Sequence, residues 1–579
     1  MQLITKTIKG QKYWYLVEKG RKNGRVTNVK TIYIGKADRL AQVLAASGTT
    51  EASFPTTFQA QEVGASAALW AEAQALDILS LIDKTLGSRR SDAAVSYGAL
   101  FVAAAIQRAI APPARKSCEQ LRAWYEGCGL SNFMPLDPAG LDARRVHEAL
   151  SSLRAPDLAR LEERITAAVL AVHQPSLSTL AFDTTNFDSY AGPSNASRLL
   201  RRGHAKSKRT NLRVLGLGLL ATADDGLPLL SFVYPGNCAD VRSFESFLRR
   251  LKVRQRALGA NAQTTVVCDG GNLSRTTVER LERDQVHYIA RLPLGHAPVA
   301  DALATDALAP LSGRLSGDCW ALRLDTVVYD QHRTVVAVYS KPMHEAQVPG
   351  LLRDRKKAEE SLQALVERLS RQRRGQGARQ HWLTRDGVRQ RVAVLLSRQH
   401  MADLYPVVVG GTDDAPTLQY HFDQAAWQHL ERHRLGRTVI ITDRASWSVE
   451  AIVEALREQS HVEDAFRQLK DPQWSAATPL RHWTDPMLRV HSFIAVLSLL
   501  LCRLLVRRLR LAGVDSTVGE ALYELTELRL ARVSYGCDAS PLLRKLAAQR
   551  EVSPAATERQ LELARALGLD EILMLGPTK

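Results

Sequence analysis

The sequence predicts a mixed α/β fold, an open mixed sheet carrying helices, with helical regions on either side of it. Three observations predict it. Residues 63–173 repeat apolar side chains at 3.6-residue spacing and nowhere alternate with period two, so helix should follow helix. From residue 177 the texture changes to short apolar runs bounded by turn residues: LSTLAFDTTNFDSY, LRVLGLGLLATADDGLPLLSFVYPGN, QTTVVCDGGNLS and VHYIARL. Beyond Asp471-Pro472 the pattern is helical again.

Taken in order, residues 1–45 form a basic segment. Its first 36 residues carry nine Lys or Arg against one acid, Glu18, interleaved with Tyr13, Trp14, Tyr15 and Tyr33. Alternation across Asn23-Gly24 predicts a β-hairpin with cations on its open face, a candidate nucleic-acid contact. A Thr- and Ala-rich linker near 46–60 leads to a helical domain at 60–175, with breaks at Pro112-Pro113 and near Pro135. The segment 177–292 gives three leading strands, with a hairpin turn at Asp225-Gly226, and then helix, strand, helix, strand. Because the first three strands connect without helices, the order departs from a βαβ repeat and is that of an RNase H-like mixed sheet.

Residues 293–435 then interrupt with β-like segments around 319–340 and 388–397 and a highly charged helix from Arg353 to about Arg374. The strand RTVIITD and a helix from about Trp447 to Lys470 complete the sheet within 436–475, and 476–579 is expected to be helical.

The 579 residues are too many for one domain, and 45% apolar with 24% charged residues excludes the disordered and fibrous classes. The apolar stretches Ala93–Ile106 and Val490–Cys502 fall short of the roughly 18–20 residues that span a bilayer, so both read as buried helices. The basic N-terminus lacks an apolar core and a small-residue cleavage site, and a bacterial cytoplasmic location is expected. Seven Cys without CxxC or CxxH spacing point to reduced core thiols rather than to disulfides or structural zinc. A formal charge of +17, from 77 Lys and Arg against 60 Asp and Glu, points to a polyanionic partner, since neutralised phosphates release condensed counterions.

Three carboxylates carry the candidate chemistry: Asp183 in AFDTTNF, Asp269 in VVCDGGN and Glu463 in HVEDAFRQLK. Asp183 and Asp269 each close an apolar run, where an Asp more commonly serves a turn or a helix cap. Converging anions repel unless cations neutralise them, and hard oxygen ligands suit Mg²⁺ or Mn²⁺. A two-ion site of this kind activates an attacking oxygen and stabilises the leaving one in phosphodiester displacement. Val449, Ile452, Val453 and Leu456, continued by Phe466 and Leu469, form an apolar helix face, and Glu463 follows Leu456 by two turns. Arg467 and Lys470 continue that line, so acid and bases share a ridge able to hold a metal and its flanking phosphates, although a plain Glu463–Arg467 pair on a solvated face has the same spacing. The run Arg198, Arg201, Arg202, Lys206, Lys208, Arg209, Arg213 follows the first acidic strand and should grip phosphates unless it is only a flexible basic loop. His491, on its apolar helix, reads as a core histidine.

These motifs, in this order over residues 177–505, resemble the bacterial insertion-sequence transposases of the DDE type with an RNase H-like core, in the group whose acidic helix carries Tyr-x2-Arg-x3-Glu-x6-Lys. The resemblance implies that Asp183, Asp269 and Glu463 are the catalytic, metal-holding triad for two Mg²⁺ or Mn²⁺ ions. It implies that the partners are transposon-end and target DNA, engaged as a homodimer, and that the inserted block 293–435 is a β-rich insertion domain that handles the transposon end. Arg201, Arg202, Lys206, Lys208, Arg209, Arg467 and Lys470 become the DNA-binding candidates. The chain departs from the motif at its Tyr and Arg positions, which are Leu456 and Gln459. Two rivals remain open, an RNase H-class nuclease that cuts without joining and a non-catalytic DNA-binding repressor.

Overall fold

The computed structural model describes residues 2–8, 11–22, 25–36, 55–87, 95–112, 117–203, 205–255, 264–292, 303, 305–376, 383–478, 480–535, 551–552 and 556–573. In chain order, strands β1 (Gln2–Ile8), β2 (Gln11–Lys22), β3 (Arg25–Lys36) and β4 (Pro55–Glu62) precede helices α1 (Gly64–Ala75), α2 (Ile78–Leu86) and α3 (Tyr97–Ile110). Helices α4 (Ser117–Gly127), α5 (Ala143–Ser151) and α6 (Ala155–His173) follow, then β5 (Thr179–Ser189), β6 (Arg213–Thr222), β7 (Pro228–Pro235) and α7 (Asp240–Gln255). Next come β8 (Thr265–Cys268), α8 (Arg275–Arg283), β9 (His287–Arg291), β10 (Ala309–Pro310), β11 (Cys319–Val328), β12 (Gln331–Ser340), α9 (Lys341–Arg373) and α10 (Arg385–Leu395). A short turn α11 (Met401–Leu404) leads to β13 (Val407–Gly411), β14 (Pro416–Tyr420), α12 (Gln424–His433), β15 (Arg437–Thr442) and α13 (Val449–Glu458). The chain closes with α14 (Ser460–Lys470), α15 (Asp485–Leu511), α16 (Val518–Thr526), β16 (Arg529–Tyr535), β17 (Glu551–Val552), α17 (Glu558–Ala566) and α18 (Asp570–Leu573). The fold is mixed α/β, as the sequence predicts. Internal contacts divide it into one unit of residues 1–264 with 458–579 and a second of 265–457.

In the first unit β5, β6 and β7 form an antiparallel meander, with Asp183 opposite Leu219. One side of it is held by aromatic packing: Phe182 lies 4.1 Å from Phe247 and 5.1 Å from Phe244 of α7, centroid to centroid. Another layer joins Ala181, Leu217 and Leu219 to Val462, Ala465, Phe466 and Leu469, which seats α14 against the sheet. The largest core gathers α1 to α6 around α15, whose Leu, Val and Ile side chains are buried on nearly every face. By length and composition α15 could cross a membrane, but 78% of its most apolar window is buried inside this unit.

The second unit carries a parallel pair, β8 with β9, extended antiparallel by β15, β12, β11 and β10. Val267, Ile289, Val336 and Ile440 pack there against Ile452, Val453 and Leu456 of α13. A separate core joins α9, α10, α12, β13 and β14.

Several local expectations are corrected. The basic N-terminus is a three-stranded antiparallel sheet, β1-β2-β3, rather than one hairpin; the turn at 23–24 lies outside the described residues. The span 388–397, read as β, is largely helix α10, because its Val and Arg residues alternate by chance while Val388 and Val392 share a helical face. The block 293–435 therefore mixes strands with long helices. The expected helix from Trp447 to Lys470 is two helices parted at Gln459. The C-terminal region is not wholly helical, since β16 pairs with β4 from the far end of the chain, a pairing that local periodicity could not reveal.

Candidate active site

Asp183 does not end its strand as expected. It sits inside β5, on the opposite side of the pleat from the packed Phe182, and six more residues of strand follow it. It is half-buried, and its Oδ1 accepts a 2.6 Å hydrogen bond from the Thr184 N–H.

The basic run after β5 is pinned rather than loose. Asp485, at the start of α15, accepts from the backbone N–H groups of Arg198 at 3.1 Å and Leu199 at 3.3 Å. Arg201 exchanges two backbone hydrogen bonds with Val214, and the Arg213 guanidinium donates to the carbonyls of Asn195, Leu200 and Pro193. Arg213 is thus a clamp for the loop, a role its charge alone did not suggest. Lys206 returns to β5: its N–H donates to Asn186 Oδ1 at 3.0 Å and its ammonium donates to the Thr184 carbonyl. Arg201 is half-buried, whereas Arg202, Lys208 and Arg209 are exposed, with Arg209 donating to the Tyr190 hydroxyl at 3.0 Å.

Lys470, the last residue of α14, meets this loop from the other side. Burial pushes its ammonium pKa below the ordinary lysine value, the Lys206 charge adds to that, and Asp183 and Asp188 pull it back up. Asp183, Lys206 and Lys470 are therefore electrostatic neighbours, as their pairing as metal ligand and phosphate grips would require. An open cavity of about 730 Å³ runs past them, lined by Asp188, Tyr190, Lys206, Arg209, Lys470 and Arg481 among others. Asp188, Tyr190 and Arg481 carried no recognisable pattern in the sequence. Tyr190 and Asp188 could have been found as the continuation of the AFDTTNFDSY run, whereas Arg481 had no local signal.

Glu463 is exposed on α14, at the flank of the buried face of Val462, Ala465, Phe466 and Leu469, and its side chain makes no ion pair or hydrogen bond among the described residues. The alternative pairing with Arg467 is not formed, because Arg467 bonds Asp464 at 2.7 Å and is otherwise solvated. Leu456 is packed, 7% exposed, and Gln459 is buried at the break between α13 and α14 with no partner for its Oε1 among the described residues.

In the second unit Asp269 follows β8 directly and opens a short 3-10 turn, Gly270–Asn272, without capping it. A Cβ at Gly270 would stand 2.7 Å from the Arg291 carbonyl oxygen, so glycine alone lets the chain turn here. Asp269 is half-exposed, and the Arg291 guanidinium stands 3.8 Å away. Among the described residues no group of three His, Cys, Asp or Glu stands together as a metal cluster. Hard carboxylate oxygens of the kind that suit a divalent cation are offered in the first unit by Asp183 and Glu463, the latter open to solvent, and in the second unit by Asp269.

His491 is a core residue, as expected. Its Nε2 donates to the Ala477 carbonyl at 2.8 Å while Nδ1 faces the buried Arg108 guanidinium at 3.5 Å, and burial holds its pKa well below the ordinary histidine value. The Arg108 guanidinium also donates to the Ala476 carbonyl, and the Arg108 backbone carbonyl accepts from the Ser475 N–H at 2.9 Å, fixing the turn that follows Lys470.

Residues 175–499 match the family described as a transposase DDE domain. The cryo-EM structure of a piggyBac transposase synaptic complex with hairpin DNA is similar over 86% of this chain and 85% of that one, at a TM-score of 0.39 and 10% identity, a likeness too slight to carry an argument. Among curated proteins none matches the chain.

Proposed function

We propose, given that this chain belongs to the family of transposases with a DDE domain, that it cleaves DNA at the ends of an insertion sequence and transfers the freed 3′-hydroxyl into target DNA. The family match carries the reading, because its span of 175–499 contains all three carboxylates and Lys470. Two ions, Mg²⁺ or Mn²⁺, bound by Asp183, Asp269 and Glu463 would supply an activated attacking oxygen and a stabilised leaving oxygen. The chain's own cations do the positioning. Lys470 and Lys206 beside Asp183 hold the phosphates that flank the scissile bond, while Arg201, Arg202, Lys208, Arg209 and Arg467 track the backbone further out. Burial keeps Lys470 short of water, so a phosphate arriving there replaces little hydration and gains a charge-assisted contact. The protein acts on DNA as a homodimer in the bacterial cytoplasm.

The test uses DNA carrying the inverted repeats that border the coding sequence, with a labelled 3′ end and a supercoiled target. Wild-type protein with Mg²⁺ should nick the end and join it to the target. Asp183→Asn, Asp269→Asn and Glu463→Gln should each abolish cleavage and keep end binding, since each removes a metal ligand and no phosphate contact. Cutting without joining would leave an RNase H-class nuclease. Binding without metal-dependent cutting would leave a repressor, a reading that Leu456 and Gln459 at the motif's Tyr and Arg positions favour.

A further inference from the structure

A second cavity lies in the first unit, where the start of α6, strand β7, helix α7 and the start of α15 meet. It is about 300 Å³ and open at one side. Its walls are of two kinds. Leu158, Phe232, Val233 and Phe493 make an apolar surface, and Glu162, Arg250 and Arg489 bring charge.

The charges do not cancel. Glu162 is the one acid lining the cavity, and its oxygens are already committed. Oε1 accepts from the Ser231 N–H at 2.6 Å and from the Ser231 hydroxyl, and Oε2 meets the Arg254 guanidinium at 2.7 Å. Arg254 is fixed in turn by the Ala159 carbonyl at 2.9 Å. Glu162 and Arg254 thus neutralise each other, and two guanidiniums are left over. Arg250 lies over the Phe232 ring, 5.4 Å from its centroid, and among the described residues neither Arg250 nor Arg489 has an ion pair or hydrogen bond. Two like charges facing one part-apolar cavity repel, which an anion with an apolar body would relieve while covering the apolar wall.

We propose that this cavity is a binding site for a nucleoside phosphate, whose phosphate bridges Arg250 and Arg489 and whose base packs against the apolar wall that includes Leu158 and Val233. Guanidiniums bind phosphate oxygens in forked pairs, and an apolar wall shields the flat face of a base from water. A volume of about 300 Å³ suits one nucleotide and not a duplex. The nucleotide comes either free or as one residue of a single strand, and the two sources present the same chemistry. The site is separate from the proposed catalytic residues, since none of them lines it.

The experiment measures binding of AMP to the full-length protein by calorimetry in EDTA, where no divalent cation can mediate phosphate binding by the carboxylates. Saturable binding is expected, weakened roughly tenfold or more in Arg250→Gln and in Arg489→Ala and unchanged in Asp183→Asn. Arg250→Gln alters a solvent-facing side chain and keeps the test valid should Arg489→Ala fold poorly. A 5′-phosphorylated single-stranded trinucleotide competes with AMP if the natural source is a DNA strand and does not if it is a free nucleotide. The proposal is overturned if AMP fails to bind, if both arginine variants bind it like the parent, or if inorganic phosphate binds as tightly as AMP.

Discussion

Leu456 occupies a position where the resembling motif carries a Tyr, and its side chain is buried with Ile452, Val453 and Ala455. Leu456→Ala should therefore cost about 2 to 5 kcal/mol of stability and leave the cleavage rate per folded molecule unchanged. Lys470 should behave in the opposite way. Its ammonium faces Lys206, so removing it relieves repulsion, and Lys470→Ala should melt no lower than the parent while cleaving the transposon end more slowly. Melting temperature and single-turnover cleavage, measured on both variants, separate packing from phosphate contact. A Leu456→Ala protein that melts normally yet cleaves poorly would place Leu456 on the DNA. The residues themselves were unequally legible. Asp183, Asp269 and Glu463 stand out only as a set whose order along the chain resembles a known motif, since each acid alone has an ordinary structural reading, and Lys470 joins them by helical spacing. The Arg108–His491 pair and Arg481 depend on partners far along the chain, and the clamp made by Arg213 is hidden because one cation in a basic run looks like another.

At the scale of elements, α1 and α15 meet through a buried ion pair. Glu72 is 0% exposed, with Arg508 Nε 3.0 Å from its Oε1. Burial raises its pKa to about 7, with the Arg508 charge working against that shift. A carboxyl whose folded pKa exceeds its unfolded one contributes stability that is complete below the unfolded value of 4.5 and is lost as the pH rises through about 7. Glu72→Gln should keep the shape, remove the titration, and flatten the fall of melting temperature between pH 4.5 and about 7, the window set by this linkage. A parent and variant whose stabilities fall in parallel over that range would mean that Glu72 is already ionised in the fold. Sequence periodicity places both helices, but nothing local marks Glu72 as buried. The same limit explains the elements that were misread. Helix α10 has too few apolar residues to declare its period, and β16 is a strand because β4 pairs with it.

For the whole molecule, a charge of +17 says that a polyanion is near but not where it lies. The structure divides the basic loop after β5 into two classes of cation. Arg202 and Lys208 are exposed, whereas Arg213 spends its guanidinium on three backbone carbonyls. Only a cation that neutralises a phosphate releases a counterion, so the dependence of log K on log salt counts contacts and ignores clamps. Arg202→Ala with Lys208→Ala should weaken binding to all duplex sequences alike and flatten that slope by nearly one unit for each lost contact, about two in all. Arg213→Ala should lower the melting temperature and leave the slope of the protein that remains folded unchanged. Anisotropy titrations over a range of salt, run beside thermal melts, test both halves. An unchanged slope in the double variant would reduce the loop's exposed cations to solvated surface, and a flattened slope in Arg213→Ala would show that the clamp releases its carbonyls to hold DNA.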